Sequence, residues 1–432
     1  MTGKSSDSLI DVSQLKVGMY IHLDLGWMAH PFSLSSFKLS SEAQIAQVRS
    51  LNLKQVRWSP SQSDLQADAE PIQVASMVAG ADVVDARIPS PAELVKQAHR
   101  DALRTQRDAL QLCEKQYVEA SVAYRELMDL VSHQPTRTRE QAQTLSQALL
   151  DKMLGDTDVN IRLLGEGAGD RNTAHALNVS IISLLLARAL NLPAGEMLDL
   201  GVGAMLHDMG KLELPARVRN RDDSLGSADL DLYQTHVAKG VSMGQTMGLG
   251  GGPLLVIAQH HENADGTGFP LHLNADRMTA AARIVSLVNR FDELCNPAVP
   301  SMGLTPHEAL SLMFAQGRSR FDGAMLNAFI RMMGVYPPGS AVQLTDDRFA
   351  LVVAVNSSRP LKPRVMVHDP LVPVEEALIL NLEHKTHLGI RRSLKPAMLP
   401  ADAQRYLAPR QRVAYFFEPM TARPETYQEW AA

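Results

Sequence analysis

The chain has 432 residues, a net charge of −5 and two cysteines; 45% of residues are hydrophobic and 21% charged. Such a composition fits a globular protein of two or three domains, at ~100–200 residues each. It excludes a broad basic field, so no DNA or RNA partner is expected, and no apolar run reaches the ~18 residues a membrane span needs. Cys113 and Cys295 give no disulfide framework, and no apolar signal core follows Met1, so a cytoplasmic location and no membrane insertion are expected.

The first 70 residues read as a small mixed unit with an accessory or regulatory role. Leu15 to Leu25 alternates apolar and polar residues around Gly18, which predicts a strand; Ser41 to Arg49 predicts a helix and Leu53 to Trp58 a second strand. Residues 59–91 are polar and turn-rich, as in a linker. From 91 to 154 the apolar residues Leu94, Ala98, Leu103, Leu110, Tyr117, Ala120 and Leu127 recur at helical intervals. This helical linker either packs on the next domain or pairs with a second copy as a homodimer, and the sequence leaves both open. Its heptads are too irregular for a coiled coil. Residues 155–337 are rich in helical segments with short breaks. After Pro337-Pro338-Gly339 the pattern turns to short apolar runs (342–344, 350–355, 364–367, 377–382), which predicts a small β-rich unit over 338–418.

Six of the fourteen histidines fall between residues 175 and 272. His175 lies in a strongly apolar helix. His207-Asp208 closes another, followed by Gly210 and Lys211. His236 sits in a third. His260-His261-Glu262 ends a fourth and runs into the turn Asp265-Gly266-Thr267-Gly268-Phe269-Pro270. Each histidine alone is an ordinary core or helix-end residue. Four segments that each offer a donor at a helix end or on one face point to a metal centre, and imidazole with carboxylate suits first-row transition metals. A carboxylate beside a histidine can bridge two ions; His272 and the outlying histidines read as packing or surface residues.

In this order the motifs resemble the HD-GYP family, a branch of the HD-domain phosphohydrolases; the stretch from Arg320-Phe321-Asp322 to Val335-Tyr336-Pro337 resembles the end of that domain. The first 70 residues resemble the small N-terminal domain often attached to such proteins. The resemblance implies a mainly α fold, an HD-type helical bundle with the small N-terminal domain and β-rich C-terminal unit as additions. It also implies metal-dependent hydrolysis of cyclic di-GMP to pGpG or GMP. His175, His207, Asp208, His236, His260 and His261 would be metal ligands, with Asp208 bridging. Lys211 would contact a phosphate, and the 265–270 turn (Asp265, Gly266, Gly268, Phe269, Pro270) would receive substrate. The cofactor expected is a pair of divalent ions, iron or manganese.

Four departures stand out. Arg171 occupies the position of the glutamate associated with a third ion, so two ions are expected. Phe269 replaces the usual tyrosine. Asn289 stands where the family has an aspartate that completes one metal position, with Asp292 able to contribute through water. The family's phosphate-gripping arginines are absent after Cys295, leaving Arg290 or Arg283 as substitutes. These departures keep open a second reading, a protein that binds cyclic di-GMP or a protein partner without efficient turnover.

Overall fold

The computed structural model describes residues 8–26, 29–32, 35–64, 90–154, 159–165, 170–219, 226–316, 319–356, 359, 361–385 and 387–419. The chain divides into two compact units, 1–98 and 99–432.

The first unit holds β1 (Ser8–Asp11), β2 (Tyr20–His22), β3 (Ser36–Lys38), α1 (Glu42–Ser50) and β4 (Gln55–Trp58), with sheet order β1-β4-β2-β3. Ser41 caps α1 by accepting from the Gln44 amide. Ile45 and Val48 of that helix are buried with Ile21, Leu39 and Val56. The strand predicted over 15–25 is reduced to Tyr20–His22. Gly18 (φ +95°) and Asp24 (φ +49°) bend the backbone out of extended geometry on either side. Most of the linker read over 59–91 lies outside the described residues.

α2 (Pro91–Leu130) begins at a reciprocal cap, where Ser90 and Glu93 each accept from the other's backbone amide. Pro135 opens α3 (Pro135–Met153). The rest of the second unit comprises β5 (Val159–Leu163), α4 (Arg171–Ala189), α5 (Ala194–Leu206), α6 (Ala216–Arg219), α7 (Ser227–Met247), α8 (Gly251–Gln259), α9 (Ala280–Cys295), α10 (Pro306–Gln316) and α11 (Gly323–Met333). It continues with β6 (Ala341–Leu344), β7 (Phe349–Asn356), β8 (Arg364–Val367), β9 (Ile379–Asn381), β10 (Ile390–Leu394), α12 (Ala401–Leu407) and β11 (Tyr415–Pro419).

α4 is buried almost all round, through Leu177, Val179, Ile181, Ile182, Leu184 and Leu186, which marks it as the central helix of the bundle. It packs on α5, α9 and β11. Asp170 starts it by accepting from the Asn172 and Thr173 amides. The helical linker is no free connector from residue 99 onward. Leu103, Cys113, Tyr117, Ala120, Tyr124 and Leu127 are buried within their own unit, and the Tyr117 ring meets Phe416 edge to face. Of the two uses left open for this stretch, packing on the same chain is the one seen.

β6 to β9 fall where the apolar runs predict them, β10 and β11 lie outside those runs, and the sheet recruits one strand from outside the 338–418 stretch. β5 lies between β7 and β11 in the order β10-β6-β7-β5-β11, with β8 paired to β7 and β9 to β8. All five β5 residues are buried, and Arg162 meets Glu418 of β11 at 3.6 Å. Its alternation of Val, Asn, Ile, Arg and Leu gives little sign of burial on both faces. Among the described residues no helix is long and apolar enough to cross a membrane.

Candidate metal centre

Four helices bring the histidines together. His175 projects from α4, His207 follows the last residue of α5, His236 sits within α7, and His260 follows α8. Close packing at Gly210 allows this: a Cβ there would run into the His236 carbonyl and the Gly240 amide, so only glycine lets α7 lie against the turn after Asp208.

The rings are oriented by their Nδ1 partners. Nδ1 of His207, His236 and His260 each faces the carbonyl three residues back, at Ala204, Tyr233 and Ile257, at 2.6, 2.6 and 2.7 Å. Nδ1 of His175 faces Oδ2 of Asp292 at 2.6 Å. Carbonyl and carboxylate oxygens only accept, so these contacts assign the proton to Nδ1 and leave an Nε2 lone pair on each ring, the second-shell arrangement of metal-ligating histidines. The Nε2 atoms then approach in pairs: His175 and His207 at 3.2 Å, His236 and His260 at 3.3 Å. Two lone pairs this close repel unless a cation lies between them.

Asp208 stands between the pairs. Its Oδ2 is 3.6 and 3.5 Å from Nε2 of His175 and His207, and its Oδ1 is 3.6 and 3.7 Å from Nε2 of His236 and His260. One carboxylate thus offers an oxygen to each side. His261 joins the second group, in which one donor atom from each of Asp208, His236, His260 and His261 lies within 4.8 Å of the others. Oδ1 of Asp208, Nε2 of His261 and Oδ1 of Asn289 are buried without a hydrogen-bond partner. Three orphaned acceptors among converging imidazoles fit a group of divalent cations and little else.

The electrostatics agree. Burial would raise the Asp208 carboxyl, but the Lys211 ammonium at 2.6 Å and the surrounding histidines outweigh it and hold the group well below the usual range. Burial keeps His260 and His261 well below the ordinary imidazole value and brings His236 down to about 4, so these rings are neutral, as ligation requires. At His175 burial acts downward, while the Asp292 hydrogen bond and charge reverse it, leaving the ring above its ordinary value. Lys211 lies over the Tyr233 ring, 5.1 Å from its centroid.

The remaining predicted residues divide. Asn289 lines a cavity of about 200 Å³ with His260 and His261, and Arg290 and Arg320 border the same cavity. Arg283 pairs with Asp322 at 2.6 Å and does not line the cavity, whereas Arg290, paired with Glu293 at 3.4 Å, lines it together with Arg320, which the sequence did not suggest. Arg171 donates to the Asn296 carbonyl. Asp292 does not reach toward an ion through water: it is buried behind His175 as the acceptor that fixes that ring. The turn residues have structural tasks. Asp265 accepts from the Thr267 amide and hydroxyl, and Gly266 takes φ +77°. Gly268 packs so tightly on the Glu262 backbone that no Cβ would fit. Phe269, joined to Pro270 by a cis bond, stacks on His261 with centroids 4.5 Å apart. Glu262 holds the loop by accepting from the Leu271 and Leu273 amides.

Comparison with known proteins agrees with this geometry. The family profile described as "HD domain" matches residues 127–325, and that of a domain of unknown function, DUF3391, matches residues 8–142. The chain is 27% identical to the cyclic di-GMP phosphodiesterase PA4108 of Pseudomonas aeruginosa, over 83% of this chain and 84% of the relative. It is 30% identical to the cyclic di-GMP phosphodiesterase response regulator RpfG of Xanthomonas campestris, over 35% and 41% of the two chains. It is 25% identical to 3'3'-cGAMP-specific phosphodiesterase 3 of Vibrio cholerae, over 38% and 35%. With these matches, and with its histidines placed around Asp208, the chain carries an HD domain preceded by a DUF3391 region and is similar to cyclic di-GMP phosphodiesterases.

Proposed function

We propose that this protein is a cyclic di-GMP phosphodiesterase that hydrolyses the dinucleotide to pGpG, GMP or both, using two iron or manganese ions. The observation that carries the reading is Asp208, one carboxylate with an oxygen directed at each of two imidazole pairs. His175 and His207 would hold one ion with Asp208; His236, His260 and His261 would hold the other. A phosphodiester is a weak electrophile whose transition state gathers negative charge, and a bound pair of divalent ions supplies Lewis acidity and an activated water at neutral pH. Lys211 stays protonated, because Asp208 raises its ammonium further than burial lowers it. It is thus a fixed positive charge for a phosphate oxygen beside the bridging carboxylate. Arg290 and Arg320 serve the phosphate or guanine at the cavity mouth, a task for which family members use arginines that this chain lacks after Cys295. The 265–270 turn contributes by holding Phe269 against His261. Both cysteines are free and buried, in keeping with a reducing, cytoplasmic setting.

A protein that binds without turning over is favoured by two features, the amide at Asn289 and the lack of arginines immediately after Cys295. The converging donors around Asp208 oppose it. Incubating the full chain with Mn²⁺ or Fe²⁺ and cyclic di-GMP, with 3'3'-cGAMP in parallel, and resolving products by chromatography tests the reading. Metal-dependent appearance of pGpG or GMP is expected. Metal-loaded protein that leaves cyclic di-GMP intact overturns it, and faster cleavage of 3'3'-cGAMP would correct the substrate.

A further inference from the structure

Oδ1 of Asp292, the oxygen turned away from His175, accepts from Nδ2 of Asn178 at 2.7 Å and from Nδ2 of Asn296 at 2.9 Å. Each amide nitrogen also donates to one shared acceptor, the Val413 carbonyl, at 2.9 Å in both cases. The amide oxygens accept from the same stretch of chain: Asn178 from the Tyr415 amide at 2.9 Å, Asn296 from the Val413 amide at 2.8 Å. Six hydrogen bonds therefore tie residues 413–415 through two buried asparagines to the carboxylate that orients His175.

Holding β11 in place does not require this network. The strand already pairs along its length with β5, and Phe416 and Phe417 are fully buried. A buried carboxylate with two amides is also no stronger a glue than apolar packing of the same volume. What the network adds is direction, because a carboxylate held on one oxygen presents the other to Nδ1 of His175 at a fixed angle. We infer that the C-terminal strand is a positioning element of the metal centre, acting through Asn178, Asn296 and Asp292 on His175, and that it governs the ion held by His175 and His207 rather than the one held by His236, His260 and His261. The inference rests on the two-ion reading of the site.

Mn²⁺ titration of the full chain by calorimetry, with melting of the metal-free protein, tests it. Asn296→Ala and Asn178→Ala should each weaken one of two Mn²⁺ events by about 10–100-fold, the scale for losing an outer-shell partner, and leave the other event alone. Phe417→Leu, which loosens β11 without touching the network, should lower the melting temperature and spare both events. Hydrogen exchange on the unaltered chain gives a readout independent of variant folding: Mn²⁺ should slow exchange at the Val413 and Tyr415 amides. Asparagine variants that bind both ions as the wild type does, or unchanged exchange at those amides on loading, would overturn the inference. So would Phe417→Leu weakening the same ion equally at the same loss of melting temperature. A wild-type chain that takes up no Mn²⁺ would instead overturn the two-ion reading itself.

Discussion

Asn289→Asp puts a full charge where a neutral amide now lies with its oxygen buried and unpartnered, beside His260 and His261. In chelator the new carboxylate has no metal ion to face. Burying it costs several kcal/mol or forces it to stay protonated, so the metal-free variant should melt below the wild type. With Mn²⁺ the sign reverses. If the added charge tightens the ion by about 10–100-fold, linkage adds about 1.4–2.7 kcal/mol to the folded state at saturating metal. For a unit this large that is a few degrees at most in melting temperature. Melts across a Mn²⁺ titration, with turnover of cyclic di-GMP measured in the same samples, read both halves. The expected result is a variant less stable in chelator, more responsive to Mn²⁺ and faster in hydrolysis. A variant with wild-type metal response and wild-type turnover would show that the amide is no handicap.

Asp208→Ala and His207→Ala should abolish hydrolysis and lower bound metal by elemental analysis, whereas Lys211→Ala should keep its metal and lose ~10²-fold or more in kcat/KM. Joint loss of metal and activity in Lys211→Ala would make that lysine structural. Lys152, buried in α3, has its ammonium brought down by burial to about 8 from 10.5. Between those values the unfolded chain binds more protons than the folded one, so stability should rise with pH across about 8–10.5. Lys152→Met should therefore stabilise at pH 7, by at most about 3 kcal/mol, and lose that advantage toward pH 10.5, as denaturant melts at the two pH values will show. Deleting residues 1–98 should leave metal content unchanged. A chain starting at 155 should lose both fold and metal, because the buried faces of α2 and α3 leave with the deleted segment; retention of metal by that fragment would contradict the packing.

The convergence of the histidines on Asp208 was legible because imidazole beside carboxylate at several helix ends suggests a shared centre, and the order of the motifs carries the family resemblance. The helices and the strands β6 to β9 were legible from apolar period, while β10 and β11 lie outside the runs that suggested strands. What stayed hidden is what depends on contacts far apart in sequence. Asp292 meets His175 across 117 positions and Asn178 meets Val413 across 235, and neither pairing is visible in the sequence, although Asp292 itself stood out beside Asn289. β5 was concealed by its two polar residues, Asn160 and Arg162, which are buried only because β7 and β11 flank the strand. The burial of α2 was half visible in its periodicity, since an apolar stripe announces a partner without saying whether it is the same chain.

The two-ion centre is tested most directly by anomalous diffraction at the manganese edge from crystals of Mn²⁺-loaded protein. Two peaks are expected, one beside each oxygen of Asp208, the first between His175 and His207 and the second among His236, His260 and His261. A single peak, or none, within the histidine cluster would contradict the centre and with it the proposed hydrolysis.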